Sequence, residues 1–439
     1  MRTDTRLSAP VRLSRHRWLS LLFVAAVAAA SLLTGSTRPA LAAGACDPGS
    51  NPIVCENSKA GTPSSVWDVS GGGDTSVEGF ATDMSVNAGS PVNFKIEAAV
   101  DYGIDIYRVG YYGGNGARKV ATVSRTGPLA QPACLTNEET GLIDCGNWSV
   151  SATWSVPADA VSGVYFANLV RKDNGSNNHV VFVVRNDASR SDVLVQTSDT
   201  TWQAYNDYGG NSLYVGAPGG RAFKVSYNRP FHSRITTPEG RDFFFSAEYS
   251  MVRWLEANGY DTTYTTGIDS DRRGALIKNH KVFVSVGHDE YWSGAQRANV
   301  EAARDAGVNL AFFSGNEVYW KTRWEPSIDA SGTPYRTLVS YKETKADAKL
   351  ASHESGGLGG AGPPAAGARD ERERRRTPRG RPGRARVVLR DRFQLPDDGH
   401  PGGRGPRPAA PVGHDRRPSP RGGPTATGNC SRMCPAWLP

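Results

Sequence analysis

The sequence of 439 residues lacks an apolar run long enough to cross a bilayer. Its longest, Trp18–Leu33, falls short of the roughly twenty residues that a spanning helix needs. No cysteine stands between Cys145 and Cys430, so a thiol nucleophile is excluded from the middle of the chain. No Gly-x-Ser-x-Gly elbow sits at the end of a predicted strand, which removes the usual serine hydrolase. The segment "TSDTTW" lacks the glycines that would admit a pyrophosphate, which removes a dinucleotide fold. No cysteine spacing is that of a zinc site. Residues 354–439 lack Lys, Ile and Tyr altogether and hold a single Phe, Phe393, and a single Trp, Trp437.

The net charge of +8 suggests nucleic-acid binding until it is divided along the chain. Residues 1–42 carry +5 and residues 354–439 carry +9, which leaves the body, 43–353, at −6. An acidic body does not track a phosphate backbone, so no nucleic-acid partner is expected.

What is present begins with an export signal. Arg2, Arg6, Arg12, Arg15 and Arg17 precede the apolar run, and "RPALAAGA" supplies small residues for cleavage after Ala42, so residues 1–42 read as a signal peptide. Cys46 is poorly placed for lipidation, because "AGAC" lacks the usual leucine, and no stable membrane anchor is expected. The mature chain is read as secreted. Export permits disulfides, and the cysteines fall as Cys46/Cys55, Cys134/Cys145 and Cys430/Cys434, of which the first two pairs are predicted to be bridges.

From residue 43 to 187 short alternating runs such as "PVNFKIEAAV", "GIDIYRVGYY" and "HVVFVVRN" are separated by Gly, Asn, Asp and Pro turns, the cadence of an immunoglobulin-like β-sandwich. From 188 to 350 the period changes. Strands at "DVLVQTSD", "DTTYTTG", "KVFVSVG" and "VNLAFFSG" alternate with helical stretches. "SAEYSMVRWLEANGY" is expected to be one helix with Ser246 as N-cap, "DRRGALIKN" a short helix and "SGAQRANVEAARDAG" a third. This is an α/β domain with a doubly wound, mostly parallel sheet. From 351 to 439 Gly, Pro, Arg and Ala dominate, and that composition buries too little apolar surface to order itself. Two origins suit such a tail, a natural basic extension or a frameshifted end, since these four residues are what GC-rich DNA yields out of frame; the second is preferred.

In an open parallel sheet, ligands settle outside the carboxyl ends of the strands. Four polar and aromatic segments fall there: "TSDTTWQAYNDYGGNSLY", "TYTTGIDSD", "GHDEYWS" and "SGNEVYWK". They supply a pocket of Trp202, Tyr205, Asn206, Tyr208, Asn316, Glu317 and Trp320. His288 titrates near neutrality and Glu290 carries a carboxylate, so these two are the candidate catalytic groups. A helix is expected directly after this loop, where Asp289 and Glu290 would also serve as acids at a helix start. With serine and cysteine nucleophiles removed, hydrolysis assisted by a metal with oxygen ligands remains, or no catalysis at all.

At these loops, in "YNDYGGNSLY", "FSAEYSMVRWLEANGYDTTY", "VFVSVGHDEYWS" and "LAFFSGNEVYWKTRW", the chain resembles the large (beta) subunit of N,N-dimethylformamidase and its exported actinobacterial relatives. "DIYRVGYYGGNGARKV" resembles the β domain that precedes it in those relatives. The resemblance implies a glutamine-amidotransferase-like α/β domain and a mononuclear iron held by two tyrosines and a glutamate. Tyr291 in "HDEYW" matches one tyrosine, and Tyr249 in "SAEYSMVRWLE" is placed as the other, with Tyr208 as its rival. The family's glutamate falls downstream of "YKETKADAK", where Glu354 lies in a different context; Glu317 is a spatial candidate, and the third ligand is not identified. The expected activity is hydrolysis of a C–N amide bond in a small amide or a cell-surface polymer by metal-activated water. The alternative is a non-catalytic extracellular protein that binds glycans or peptides.

Overall fold

The computed structural model describes residues 44–124, 127–231 and 243–342. The predicted signal peptide, the tail from 351, Glu354 and the Cys430/Cys434 pair lie outside the described residues. Among the described residues no helix is long and apolar enough to cross a membrane.

Two short helices, α1 (Pro52–Asn57) and α2 (Ser64–Trp67), open the chain. Ten strands follow: β1 (Val77–Ala81), β2 (Ser85–Asn87), β3 (Pro91–Ala98), β4 (Tyr102–Val109), β5 (Ala117–Val123), β6 (Leu135–Asn137), β7 (Leu142–Asp144), β8 (Ala152–Ser155), β9 (Gly163–Arg171) and β10 (Asn177–Arg185). They pair as one sheet ordered β1-β3-β8, a second ordered β2-β10-β9-β4-β5, and a small β6-β7 ribbon. Alternation along β3, where Val92, Phe94, Ile96 and Ala98 are buried, turns one face of the first sheet inward. That face meets Ile104, Ile106, Leu169, Phe182 and Val184 of the second sheet in a shared core. The predicted bridges Cys46–Cys55 and Cys134–Cys145 are both formed.

The second half contains β11 (Val193–Thr197), α3 (Asp199–Tyr205), β12 (Lys224–Ser226), α4 (Phe244–Ala247), α5 (Tyr249–Ala257), β13 (Thr262–Thr266), α6 (Gly267–Arg272), β14 (Val282–Gly287), β15 (Tyr291–Ser293), α7 (Gly294–Asp305), β16 (Asn309–Ser314), β17 (Trp320–Glu325) and β18 (Thr337–Val339). The four predicted strands form one sheet ordered β13-β11-β14-β16, parallel throughout. A further sheet, ordered β12-β18-β17-β15, lies beside it and was not expected from the sequence. Three of its strands, β12, β15 and β18, have only three residues each, too few to show a period in the residue pattern.

Three local expectations change. The helix predicted across "SAEYSMVRWLEANGY" is broken at Glu248 (φ −124°), which joins α4 to α5. The break follows from the buried Glu248 carboxylate, which accepts from Trp202 Nε1 at 2.6 Å and from the Ser198 N–H at 3.1 Å. Ser246 therefore lies inside α4 and caps neither helix. "DRRGALIKN" forms the end of α6 and a 3-10 turn, Gly274–Asn279, pressed so near Asn299 that a Cβ at Gly274 would meet it at 2.2 Å. No helix follows "GHDEY" at once: β15 intervenes, α7 is capped by Ser293, whose Oγ accepts from Gln296 N at 3.0 Å, and its first turn contains no acid. Helix-start stabilisation therefore does not account for Asp289 and Glu290.

Candidate active site

In the order β13-β11-β14-β16 the chain leaves β11 to one side and returns on the other, so the topological switch lies between β11 and β14. Their carboxyl ends, Thr197 and Gly287, open a crevice where the fold places ligands. Gly287 has φ +89°, and a Cβ there would meet Glu248 Cγ at 2.9 Å; only glycine lets the chain turn here into His288-Asp289-Glu290.

Four carboxylates are buried at this switch: Asp199, Glu248, Asp289 and Glu290. Asp289 accepts from Gln196 Nε2 at 2.6 Å and from Ser285 Oγ at 2.7 Å. Asp199 accepts from the Tyr227 hydroxyl at 2.9 Å and from the Gly267 N–H. Burial pushes the Asp199 carboxyl up to about 7, with the neighbouring Asp269 and Asp289 charges adding to the rise. Burial also lifts Asp289 to about 6 and Glu248 well above the usual carboxylate range. The hydrogen bonds of the first three orient the loops on which the candidate chemistry stands.

That chemistry lies one residue further on. The Glu290 backbone N–H donates to Thr201 Oγ1 at 3.0 Å, which fixes the loop to α3. Glu290 Oε2 then accepts from Tyr205 at 3.1 Å and from Tyr214 at 3.0 Å, and His288 Nε2 stands 3.9 Å from the same oxygen. Tyr291 donates to the Tyr214 hydroxyl at 2.7 Å. Tyr205 and Tyr214 stack at 4.0 Å. The Lys342 ammonium lies 3.2 Å from the centre of the Tyr214 ring and 5.3 Å from that of Trp320. Burial raises both the Tyr214 and Tyr291 phenols, with Glu290 reinforcing the shift, so both are protonated donors at neutral pH.

The structure thus brings together His288, Glu290, Tyr291, Tyr205 and Trp320 of the residues singled out by sequence. Tyr249 lies elsewhere: it packs against Trp67 and Phe245, and its hydroxyl is directed at Gly116 in the β4–β5 hairpin. Tyr208 donates to Glu78 of β1 at 2.7 Å. Trp202 is a buried wall holding Glu248, and Asn206 donates to the Pro230 carbonyl. Asn316 and Glu317 are exposed in the turn after β16. Tyr214, Lys342 and Thr201 join the site without having been assigned to it. Tyr214 was visible as one of several loop aromatics, whereas nothing in "SYKETK" marks Lys342.

The oxygen donors at this point fit a hard cation. Two phenolic oxygens lie 2.7 Å apart, with a carboxylate oxygen 3.0 Å from one of them, a set suited to a ferric-type ion.

Comparison with known proteins adds one assignment and little else. The model of the family described as "N,N-dimethylformamidase beta subunit-like, C-terminal" matches residues 103–366, and no curated protein matches the chain. Among solved structures, a fungal alcohol oxidase of the AA5 family in complex with copper has 19% identity and TM-score 0.16, covering 24% of this chain and 19% of that one. A putative alpha-galactosidase/melibiase from Bacteroides fragilis has 7% identity and TM-score 0.12, covering 57% of this chain and 53% of that one. Neither likeness extends to the fold.

Proposed function

We propose, from the premise that the chain belongs to the N,N-dimethylformamidase beta subunit-like family, that it is a secreted amidohydrolase that cleaves a C–N amide bond with water. The observation that supports this most directly is the convergence of Tyr205, Tyr214 and His288 on one Glu290 oxygen, with Tyr291 donating to Tyr214. In this reading the sandwich is immunoglobulin-like and the parallel sheet glutamine-amidotransferase-like.

Tyr291 and Tyr214, with Glu290, are the residues that would hold an iron ion. When bound, such an ion supplies Lewis acidity at the crevice. Tyr205 donates to Glu290 and keeps that carboxylate turned into the crevice. His288, 23% exposed in its side chain, takes a proton from the attacking water and passes it to the leaving nitrogen at the solvent side. Trp320 and Tyr205 exclude water around the amide carbon.

Amide turnover should be measured on the full chain alongside metal content and visible absorption. Phenolate bound to ferric iron gives a charge-transfer band, and Tyr291→Phe should weaken and shift the band and lower turnover by roughly 100-fold or more. A colourless, metal-free protein that hydrolyses no small amide rejects this reading. A second reading is favoured by Tyr319, 46% exposed and edge-on to Trp320 at 4.8 Å, an aromatic pair of the kind that stacks on sugars. Glycan binding that survives Tyr291→Phe would select it.

A further inference from the structure

Beside the tyrosine cluster the structure holds a second concavity that the reading above does not use. β15 pairs with β17 in parallel over Tyr291↔Trp320, Trp292↔Lys321 and Ser293↔Thr322, and then the chain turns into α7. Where β15 leaves, a cleft of about 270 Å³ opens, lined by Asp271, Ser293, Gly294, Lys321, Arg323 and Trp324. Two residues of strand, about 7 Å, separate Ser293 from Tyr291 along the ladder.

The chemistry of its lining is one-sided. Lys321 brings a cation, and Arg323, paired with Glu325 at 2.9 Å, lines the same wall. Ser293 Oγ serves Gln296 N, and the N–H of Gly294, first residue of α7, a helix of 12 residues, has no acceptor within the helix and stands at its positive dipole end. Thr322, 4% exposed, lines the same wall, and neither its Oγ1 nor the Trp324 indole N–H has a hydrogen-bond partner among the described residues. Among its lining residues the one carboxylate is Asp271, whose oxygens already accept from Ser293 and from Tyr335 at 3.2 Å. The cleft therefore offers donors and positive charge and asks for acceptor oxygens. One fixed carboxylate favours a monoanion over a dianion, the Trp324 face suits an apolar body, and the volume lies below that of sites for drug-sized ligands.

We propose that this cleft binds a small organic carboxylate, with its oxygens towards Lys321 and the α7 N-terminus and its carbon body against Trp324. That the natural ligand is the acid released by amide cleavage in the adjoining crevice rests on the amidohydrolase reading; the binding itself does not.

The test is calorimetric titration of the full chain with benzoate, with its neutral isostere benzamide, and with inorganic phosphate. Benzoate should bind saturably, at least tenfold tighter than benzamide or phosphate. Lys321→Met should weaken benzoate at least tenfold, Lys321→Arg should restore most of it, and Tyr291→Phe should leave it unchanged. Equal binding of benzoate and benzamide, or a Lys321→Met protein that binds benzoate as wild type does while retaining its circular dichroism, overturns the proposal. Amide turnover by a protein that does not bind benzoate also overturns it, and leaves the catalytic reading intact. Benzoate binding that depends on Lys321 in a protein without turnover supports the cleft and removes only the link to catalysis.

Discussion

The hydroxyl of Tyr291 is fully buried and donates to a single partner, Tyr214. Removing it as Tyr291→Phe leaves the ring in the core and leaves Tyr214 bonded to Glu290, so the fold should lose only about 1 kcal/mol in a denaturant titration. Amide turnover, if Tyr291 belongs to the centre, should fall by roughly 100-fold or more, as when one preorganised donor is withdrawn from an active site. Asp199 yields a prediction of a different kind. Its folded carboxyl is raised to about 7 from an ordinary 3.8, so between those values the folded protein holds a proton that the unfolded chain has released. Its contribution to stability is complete below about pH 4 and is lost as the pH rises through 7. Asp199→Asn keeps the acceptor for the Gly267 N–H, turns an amide N–H towards the Tyr227 hydroxyl oxygen as the protonated carboxyl would, and removes the titration; its melting temperature should decline less from pH 5 to 7.5 than that of the wild type. An equal decline in both would show that Asp199 is ionised throughout.

At the scale of elements, α7 depends on its cap. Ser293 both accepts from Gln296 N and donates to Asp271, so Ser293→Ala should destabilise the protein by about 1 kcal/mol, read from a thermal or denaturant midpoint. β16 presents a different feature. Strands of a parallel sheet are normally covered on both faces, yet Phe312 and Phe313, which point to opposite faces of this edge strand, are 36% and 37% exposed. "NLAFFS" contains no charge and no proline to discourage pairing with another edge. Phe313→Lys should therefore suppress heat-induced light scattering while shifting the unfolding midpoint little.

Across the whole molecule, sandwich and parallel sheet are joined by a fully buried ion pair. Arg108 of β4 donates twice to Glu256 of α5, both at 2.8 Å, and Tyr264 of β13 and Asn57 of α1 donate to the same carboxylate. Burial opposes the Arg108 charge, but Glu256 more than offsets it and holds the guanidinium well above its usual range. Glu256→Gln leaves that charge uncompensated in the interior and should cost about 3–5 kcal/mol. Pairing it with Arg108→Met should recover a substantial part of the loss, and both are measurable as midpoints of chemical unfolding. If the single variant is nearly neutral, the two halves are not coupled through this pair.

Local periodicity and spacing are enough to write part of this molecule. Alternation located the sandwich strands, and short strand-like runs alternating with helical stretches located the four parallel strands and the helix after "YWS". The close cysteine pairs gave both bridges. Among the candidate groups, His288, Glu290 and Tyr291 share one loop, so their proximity was legible in the order of residues. Which distant residues meet them depends on the packing of the folded chain. Tyr214 and Lys342 reach the loop from 77 residues before Tyr291 and from beyond β18, through contacts that no local pattern encodes. The break at Glu248 was equally invisible, because the Trp202 and Ser198 donors that draw its carboxylate inward come from another element. The strand that displaced the helix start after "GHDEY" exists because β17 lies alongside it, a neighbour supplied by the fold.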